Sequence, residues 1–322
     1  GKTVLALEKS RRLASEGFAT LLTCYNAPLA EDLAEAAKDL PNLTVLNIHR
    51  IFKSLASEAS KSSGRNIEDE ASSNYPGEDY FETLLPAAAV YAAEILGPRY
   101  DALVVDEAQD FTDAYWFPLE LLLNDAAHDP VYIFLDENQN LYKASAEMPK
   151  SDISFVLTAN CRNTKSIHEV FSKYYSGPAY EPPSIDGAPI AKLCADDRES
   201  QASKISTLIK KWTEEESVPQ SSIVVLIADR ALRSSYEEAL VDCSDSNGMQ
   251  WSTRGAAKKS VVRIDSVARF KGLEAQMVIL WGLDTLSPEE RNETLYVGFS
   301  RAKALLVLVG RELTCRNVLD GL

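Results

Sequence analysis

The residues Val104-Val105-Asp106-Glu107-Ala108-Gln109-Asp110 constrain this chain more than any other stretch. A short apolar run over 103–105 ends in two adjacent acids. In open α/β sheets, ligands bind outside the carboxyl ends of the strands. An Asp-Glu pair at such an end faces the ligand. The first acid can orient Mg²⁺, and the second can activate water for attack on a phosphate. A solvated acidic turn after a buried strand has the same spelling, so the meaning of the pair depends on the rest of the chain.

The rest alternates. Apolar runs at 18–24, 43–46, 103–105 and 131–135 read as buried strands, and helical patterns fall at 4–16, 29–39, 81–96 and 116–123, with helical residues resuming near 51. The polar composition over 57–79 predicts a long loop. The pattern breaks over 144–154 and then resumes. Strands are expected at 190–194, 223–227, 261–264, 277–280 and 305–309. Helices are expected at 165–175, 200–215 and 231–241, with another ending near 300. Polar segments at 176–188 and 243–260 read as loops. This alternation predicts an α/β fold with two doubly wound parallel sheets, in domains 1–150 and 151–322. A chain of 322 residues is long enough for two full cores.

The formal net charge of -15 argues against loose coating of a nucleic acid, which needs positive potential. Any nucleic-acid site must be a local basic groove. The five cysteines are dispersed and without metal-ligand spacing, so they read as reduced thiols of a cytoplasmic protein. The three histidines are also scattered, so no zinc site is expected. No apolar run has membrane-spanning length, so no membrane partner is expected.

Gly1-Lys2-Thr3 leads directly into a helical pattern and has the form of the end of a phosphate-binding loop. There the Lys reaches β- and γ-phosphates, the Thr hydroxyl ligates Mg²⁺, and the helix N-terminus faces the anion. The chain is expected to start inside that loop, and an incomplete loop predicts weak or undetectable ATPase. Gln139 follows the 131–135 run, where it either senses a phosphate or belongs to a polar turn. Arg162, just before a helical segment, either reaches a phosphate or makes a surface ion pair. Lys271-Gly272 reads as a tight basic turn, and Arg301 as a helix–strand junction.

In this order the stretches resemble the UvrD/Rep-like superfamily 1 helicases. Gly1-Lys2-Thr3 looks like the end of motif I, 22–26 like motif Ia, and 47–52 like the short segment that touches DNA. Asp106 to Asp110 looks like motif II, and Asp136 to Tyr142 like motif III. Asn160-Cys161-Arg162 resembles motif IV, 266–274 motif V and 296–303 motif VI.

The resemblance implies two RecA-like domains and an ATP-dependent helicase or translocase moving 3′→5′ on single-stranded DNA. It implies ATP and Mg²⁺ as cofactors, with Gly1, Lys2, Thr3, Asp106 and Glu274 at the nucleotide and Thr3 and Asp106 at the metal. Glu107 becomes the general base, Gln139 the coupling residue, and Arg162 and Arg301 arginine fingers. Tyr25, His49, Tyr142, Lys143, Ser266 and Lys271 are expected along the DNA, with Arg50, Lys53 and Arg269 as further positive charge. The implied partner is single-stranded DNA or a single/double-strand junction, together with a possible upstream domain or protein partner.

The sequence departs from the family pattern at Cys161, which stands where an aromatic usually stacks on adenine. It departs again at Ala268, where a His is usual, and at Ala144, near the place of a usual Trp. Only about one hundred residues separate Asn160 from Ser266, too few for the large helical insertion of that family. A nucleotide- or DNA-sensing regulatory module of a larger, for example nuclease-linked, protein is the alternative reading.

Overall fold

The computed structural model describes residues 1–136, 153–157, 159–175, 181–244, 251–252 and 261–322. Gln139, Tyr142, Lys143 and Ala144 lie outside the described residues, as does most of the expected boundary at 144–154. The chain divides into two units, Gly1–Leu157 and Thr158–Leu322. Both are α/β, with every described strand parallel to its neighbours.

In the first unit α1 (Lys2–Ser15), β1 (Thr20–Cys24), α2 (Ala27–Ala36) and β2 (Leu43–Asn47) come in turn. They are followed by α3 (Ile48–Ser63), α4 (Ile67–Asn74), α5 (Leu85–Leu96), β3 (Ala102–Asp106), α6 (Trp116–Glu120) and β4 (Val131–Ile133). The sheet order is β2-β1-β3-β4. The register sets Cys24 opposite both Asn47 and Asp106, so three strands end level and present their carboxyl ends together. β1 and β3 are buried along their whole length, which explains their unbroken apolar runs.

One face of the sheet is covered by α3 and α5. Ile51, Phe52, Leu55, Ala56 and Ala59 recur at helical spacing on α3 and are all buried. They meet the buried alanines Ala88, Ala89, Ala92 and Ala93 of α5, whose small side chains let two helices approach closely.

The loop expected over 57–79 is largely helical. The apolar spacing of α3 runs on to Ala59, and the hydroxyls of Ser60, Ser62 and Ser63 donate back to carbonyls of Ala56 and Ala59. Serines that would favour a turn are thereby accommodated within the helix. Gly64, at φ 72, ends it in the left-handed conformation that glycine adopts without strain. Asn66 then caps α4, and Ile67 and Ala71 are fully buried.

The second unit contains α7 (Lys165–Phe171), β5 (Ala191–Cys194), α8 (Arg198–Lys210), β6 (Ile223–Ile227), α9 (Arg233–Ser244) and β7 (Trp251–Ser252). It continues with β8 (Val262–Ser266), β9 (Ala275–Trp281), α10 (Pro288–Ser300), β10 (Ala302–Gly310) and α11 (Glu312–Asp320). The sheet order is β5-β10-β9-β6-β8-β7. β7 is a two-residue strand inside the segment expected as a polar loop, and α11 adds a helix beyond the last expected strand. All five cysteines are free thiols. Among the described residues no helix is long and apolar enough to cross a membrane.

Phe52 has no exposed surface and meets Tyr115 edge to face at 5.9 Å. Phe52→Ala is expected to destabilise the first unit by about 3–5 kcal/mol. Urea unfolding should show the loss as a lower midpoint at unchanged slope.

Candidate active site

Asp106 is the last residue of β3 and is 1% exposed. Neither of its carboxylate oxygens has a hydrogen-bond partner of ordinary geometry. Burial pushes its pKa up to about 7, helped by the charge of Glu107, while nearby Thr3, the Glu107 backbone and Lys2 pull it down. The Thr3 hydroxyl is thus close enough to act on the carboxylate without a well-formed hydrogen bond. Lys2 and Thr3 open α1 with Gly1 as its N-cap, and Lys2 Nζ lies 3.2 Å from Asp136 Oδ2, just beyond β4. A buried carboxylate with two unpaired oxygens beside a hydroxyl fits a hard, oxygen-seeking cation such as Mg²⁺. Among the described residues no three His, Cys, Asp or Glu side chains group to hold a metal by themselves. A cation at Asp106 would therefore take further ligands from water or a phosphate.

Glu107 has φ 55 and ψ 43, the left-handed conformation, which costs a non-glycine residue about 1 kcal/mol or more. This turns the chain sharply at the strand end and places a second buried carboxylate beside Asp106. Gln109 was not among the expected site residues. Its Nε2 donates to Glu107 Oε2 at 2.5 Å, and its Oε1 accepts from the Asp136 amide at 2.8 Å. The Ala108 amide also donates to the Phe134 carbonyl, so the acidic turn is stitched to the end of β4. No periodicity marks Gln109, because the i, i+2 contact exists only once Glu107 has reversed the backbone.

Tyr25 and His49 follow β1 and β2, and the structure brings them together, with ring centroids 5.0 Å apart. His49 Nε2 lies 3.1 Å from the Tyr115 hydroxyl and its ring packs on Phe81 at 4.9 Å. Burial and the charge of Lys53 lower the His49 pKa, so the ring is neutral at pH 7. Arg50 and Lys53 are exposed on α3, and Lys53 sits over the rings of Tyr80 and Phe81. Tyr80 and Phe81 extend this aromatic group beyond the expected residues.

In the second unit the segment before α7 is held by asparagines. Asn160 Oδ1 accepts from the amides of Arg162 and Asn163. The buried Asn163 side chain donates to the carbonyls of Ser300 and Ala302 at 3.2 and 2.5 Å. Arg162 Nε lies 2.8 Å from Glu274 Oε2, an ion pair without hydrogen-bond alignment, and Lys303 also pairs with Glu274. Burial would raise the Glu274 pKa, but Lys303 and Arg162 together bring it below its ordinary value.

Arg301 is 1% exposed. Its guanidinium donates to the carbonyls of Val297 and Leu273 and to the Ser300 hydroxyl. Arg162, Glu274 and Arg301, far apart in sequence, are thus linked through the Ser300–Ala302 turn and the 266–274 segment.

Ser266 ends β8 and is buried, with its hydroxyl accepting from the Arg269 amide. Lys271, expected along the DNA, is 1% exposed in a turn that Gly272 closes at φ 81. Arg269 instead lies 3.6 Å from the buried Asp265, which Arg263 and Arg233 also approach, at 3.0 and 3.6 Å.

Residues 261–309 match the family described as the UvrD-like helicase C-terminal domain, a span from β8 through most of β10 that includes Ser266, Lys271, Glu274 and Arg301. Among solved structures, one similar chain is the C-terminal domain of a possible DNA helicase from Lactobacillus plantarum WCFS1. It is 18% identical with a TM-score of 0.38, covering 48% of this chain and 92% of that one. No curated protein matches the sequence. Residues 261–309 are thus similar to the UvrD-like helicase C-terminal domain, which points to a helicase-related function.

Two outcomes follow from this geometry. Because the folded pKa of Asp106 exceeds its unfolded value, its contribution to stability is full below the unfolded value and is lost as pH rises through about 7. In metal-free protein Asp106→Asn should raise the thermal midpoint at pH 8, with the gain fading toward pH 4 in melting scans. Asn163→Leu orphans two buried carbonyls and should cost about 2–4 kcal/mol in denaturant unfolding.

Proposed function

We propose that this chain is the motor core of an ATP-dependent superfamily 1 DNA helicase or translocase that couples ATP hydrolysis to movement along single-stranded DNA. The observation that carries the reading is the buried, unpartnered Asp106 carboxylate beside Glu107 at the carboxyl end of a parallel strand. The UvrD-like match in the second unit supports it independently.

Asp106 and the Thr3 hydroxyl would hold Mg²⁺, and Lys2 would turn from Asp136 to the phosphates. A bound Mg²⁺ supplies charge neutralisation at the phosphate oxygens. Glu107 accepts the proton of the water that attacks the terminal phosphorus, while ADP leaves with the bonding electron pair. Its left-handed backbone sets the direction in which that side chain leaves the strand end. We assign Arg162 and Arg301 the stabilisation of charge that develops during this step, with Glu274 at the ribose and Gln139 coupling hydrolysis to the DNA. To do so Arg162 must exchange its contact with Glu274 for phosphate, and Arg301 must release its bonds to the Val297 and Leu273 carbonyls and the Ser300 hydroxyl.

Tyr25 and His49 would receive bases by stacking, a contact worth about 1–3 kcal/mol per base and indifferent to sequence. Neutral His49 contributes a ring and a hydrogen bond rather than a charge. Tyr142, Lys143 and Ser266 are proposed along the same strand, and Lys271 only if its turn opens.

The alternative, a nucleotide- or DNA-sensing module of a larger protein, draws on one observation. The cations Lys2 and Arg162 are both already matched with carboxylates.

In the full-length protein Glu107→Gln is expected to lower DNA-stimulated ATP turnover about 10²–10⁴-fold while nucleotide binding persists. Steady-state hydrolysis with and without single-stranded DNA checks this. Unchanged turnover in the variant would refute the mechanism. Strand displacement from a 3′-tailed duplex separates motor from sensor.

A further inference from the structure

The contacts of Gln109 join three elements of the acidic site in one side chain. Its amide reaches Glu107 Oε2 at 2.5 Å on one side and the Asp136 backbone amide at 2.8 Å on the other. Asp136 is also the residue that meets Lys2. The direction of the amide is fixed by its partners. A backbone N–H can only donate, so the oxygen must face Asp136, which leaves NH₂ to face the carboxylate. Gln109 is 5% exposed and Glu107 8% exposed, so water cannot readily substitute for either bond. Glu107 has no other hydrogen-bond partner described for its carboxylate, while its backbone is held in the left-handed region.

We propose that Gln109 is a positioning residue for Glu107: it aims the general-base carboxylate and ties that aim to the β4 end where Lys2 is held. This rests on the hydrolytic reading of the site. A carboxylate free to rotate on its own side-chain torsions would spend little time aligned with the attacking water, and small misplacements of a reacting group can cost about 10²-fold. The donor to one oxygen of Glu107 leaves the other oxygen to take the proton. The acceptor for Asp136 makes the orientation depend on the position of the strand end, so a shift of that end is transmitted to the base.

The two halves of the amide can be separated. Gln109→Ala removes both contacts. Gln109→Glu keeps an acceptor for the Asp136 amide and replaces the donor facing Glu107 with a second carboxylate. In the full-length protein, DNA-stimulated ATP turnover at pH 8 should fall roughly 10–100-fold in both variants, as for other supporting residues around a reactive centre. KM, and the dissociation constant for a fluorescent ATP analogue, should stay within about twofold, the pattern of a group that acts on the chemical step. Hydrogen exchange at the Asp136 amide should quicken in Gln109→Ala and remain slow in Gln109→Glu. Wild-type kcat in Gln109→Glu would overturn the proposal and reduce Gln109 to a brace for the Asp136 turn. So would a change confined to KM. Glu107→Gln run beside them separates the two levels. If it too turns over normally, the hydrolytic reading itself fails. If it is inactive while Gln109→Glu is not, only the positioning role is lost.

Discussion

The first unit is organised around a carboxylate that water cannot reach. Folding places Asp106 at the end of a fully buried strand, where its charge has lost hydration and gained no well-aligned hydrogen bond in return. Such a group is unfavourable unless it is protonated or meets a cation. Adjacent Glu107 makes ionisation harder still. Two acids in one turn are therefore not a solvated surface feature. They form an electrostatic deficit that a divalent ion would relieve, and binding of that ion would stabilise the fold that binds it.

The cations of the chain show the complementary condition. Lys2 faces Asp136, and Arg162 shares Glu274 with Lys303. The side-chain accessibilities are 29% and 7% for Lys2 and Asp136, and 21% and 28% for Arg162 and Glu274. A polyphosphate, with more charge and more acceptor oxygens than one carboxylate, would compete for either cation. Resident acids keep each long side chain near a defined position. Arg301 is different. Its donors are committed to backbone carbonyls and to Ser300, and it is sealed from solvent.

The sheets and the acidic strand end were legible in the sequence because buried parallel strands leave unbroken apolar runs, and 103–105 stops at two acids. The helices across 57–79 were hidden by composition: serine and acidic residues read as loop, while the deciding signal was the apolar spacing that continues to Ala59 and restarts at Ile67. The role of Gln109 was not legible because it depends on Glu107 adopting a conformation that glutamate seldom takes. Lys271 could not be recognised as buried, since a basic residue beside a glycine has the same spelling in an open turn and a closed one. The aromatic group around His49 was half legible: Tyr25 and His49 follow strand ends, but Phe81 arrives from a segment more than thirty residues away.

Asn163 has a mechanical consequence. One amide group grips the carbonyls on both sides of Arg301 while sitting next to Arg162 in the chain. Asn163 is therefore one fastening between the two arginine-bearing segments, beside the Arg162–Glu274 pair. Any displacement of the Ser300–Ala302 turn must carry the Asn160–Asn163 segment with it. The backbone that carries Arg301 and the backbone that carries Arg162 therefore share one buried amide, so strain in either segment is felt by the other.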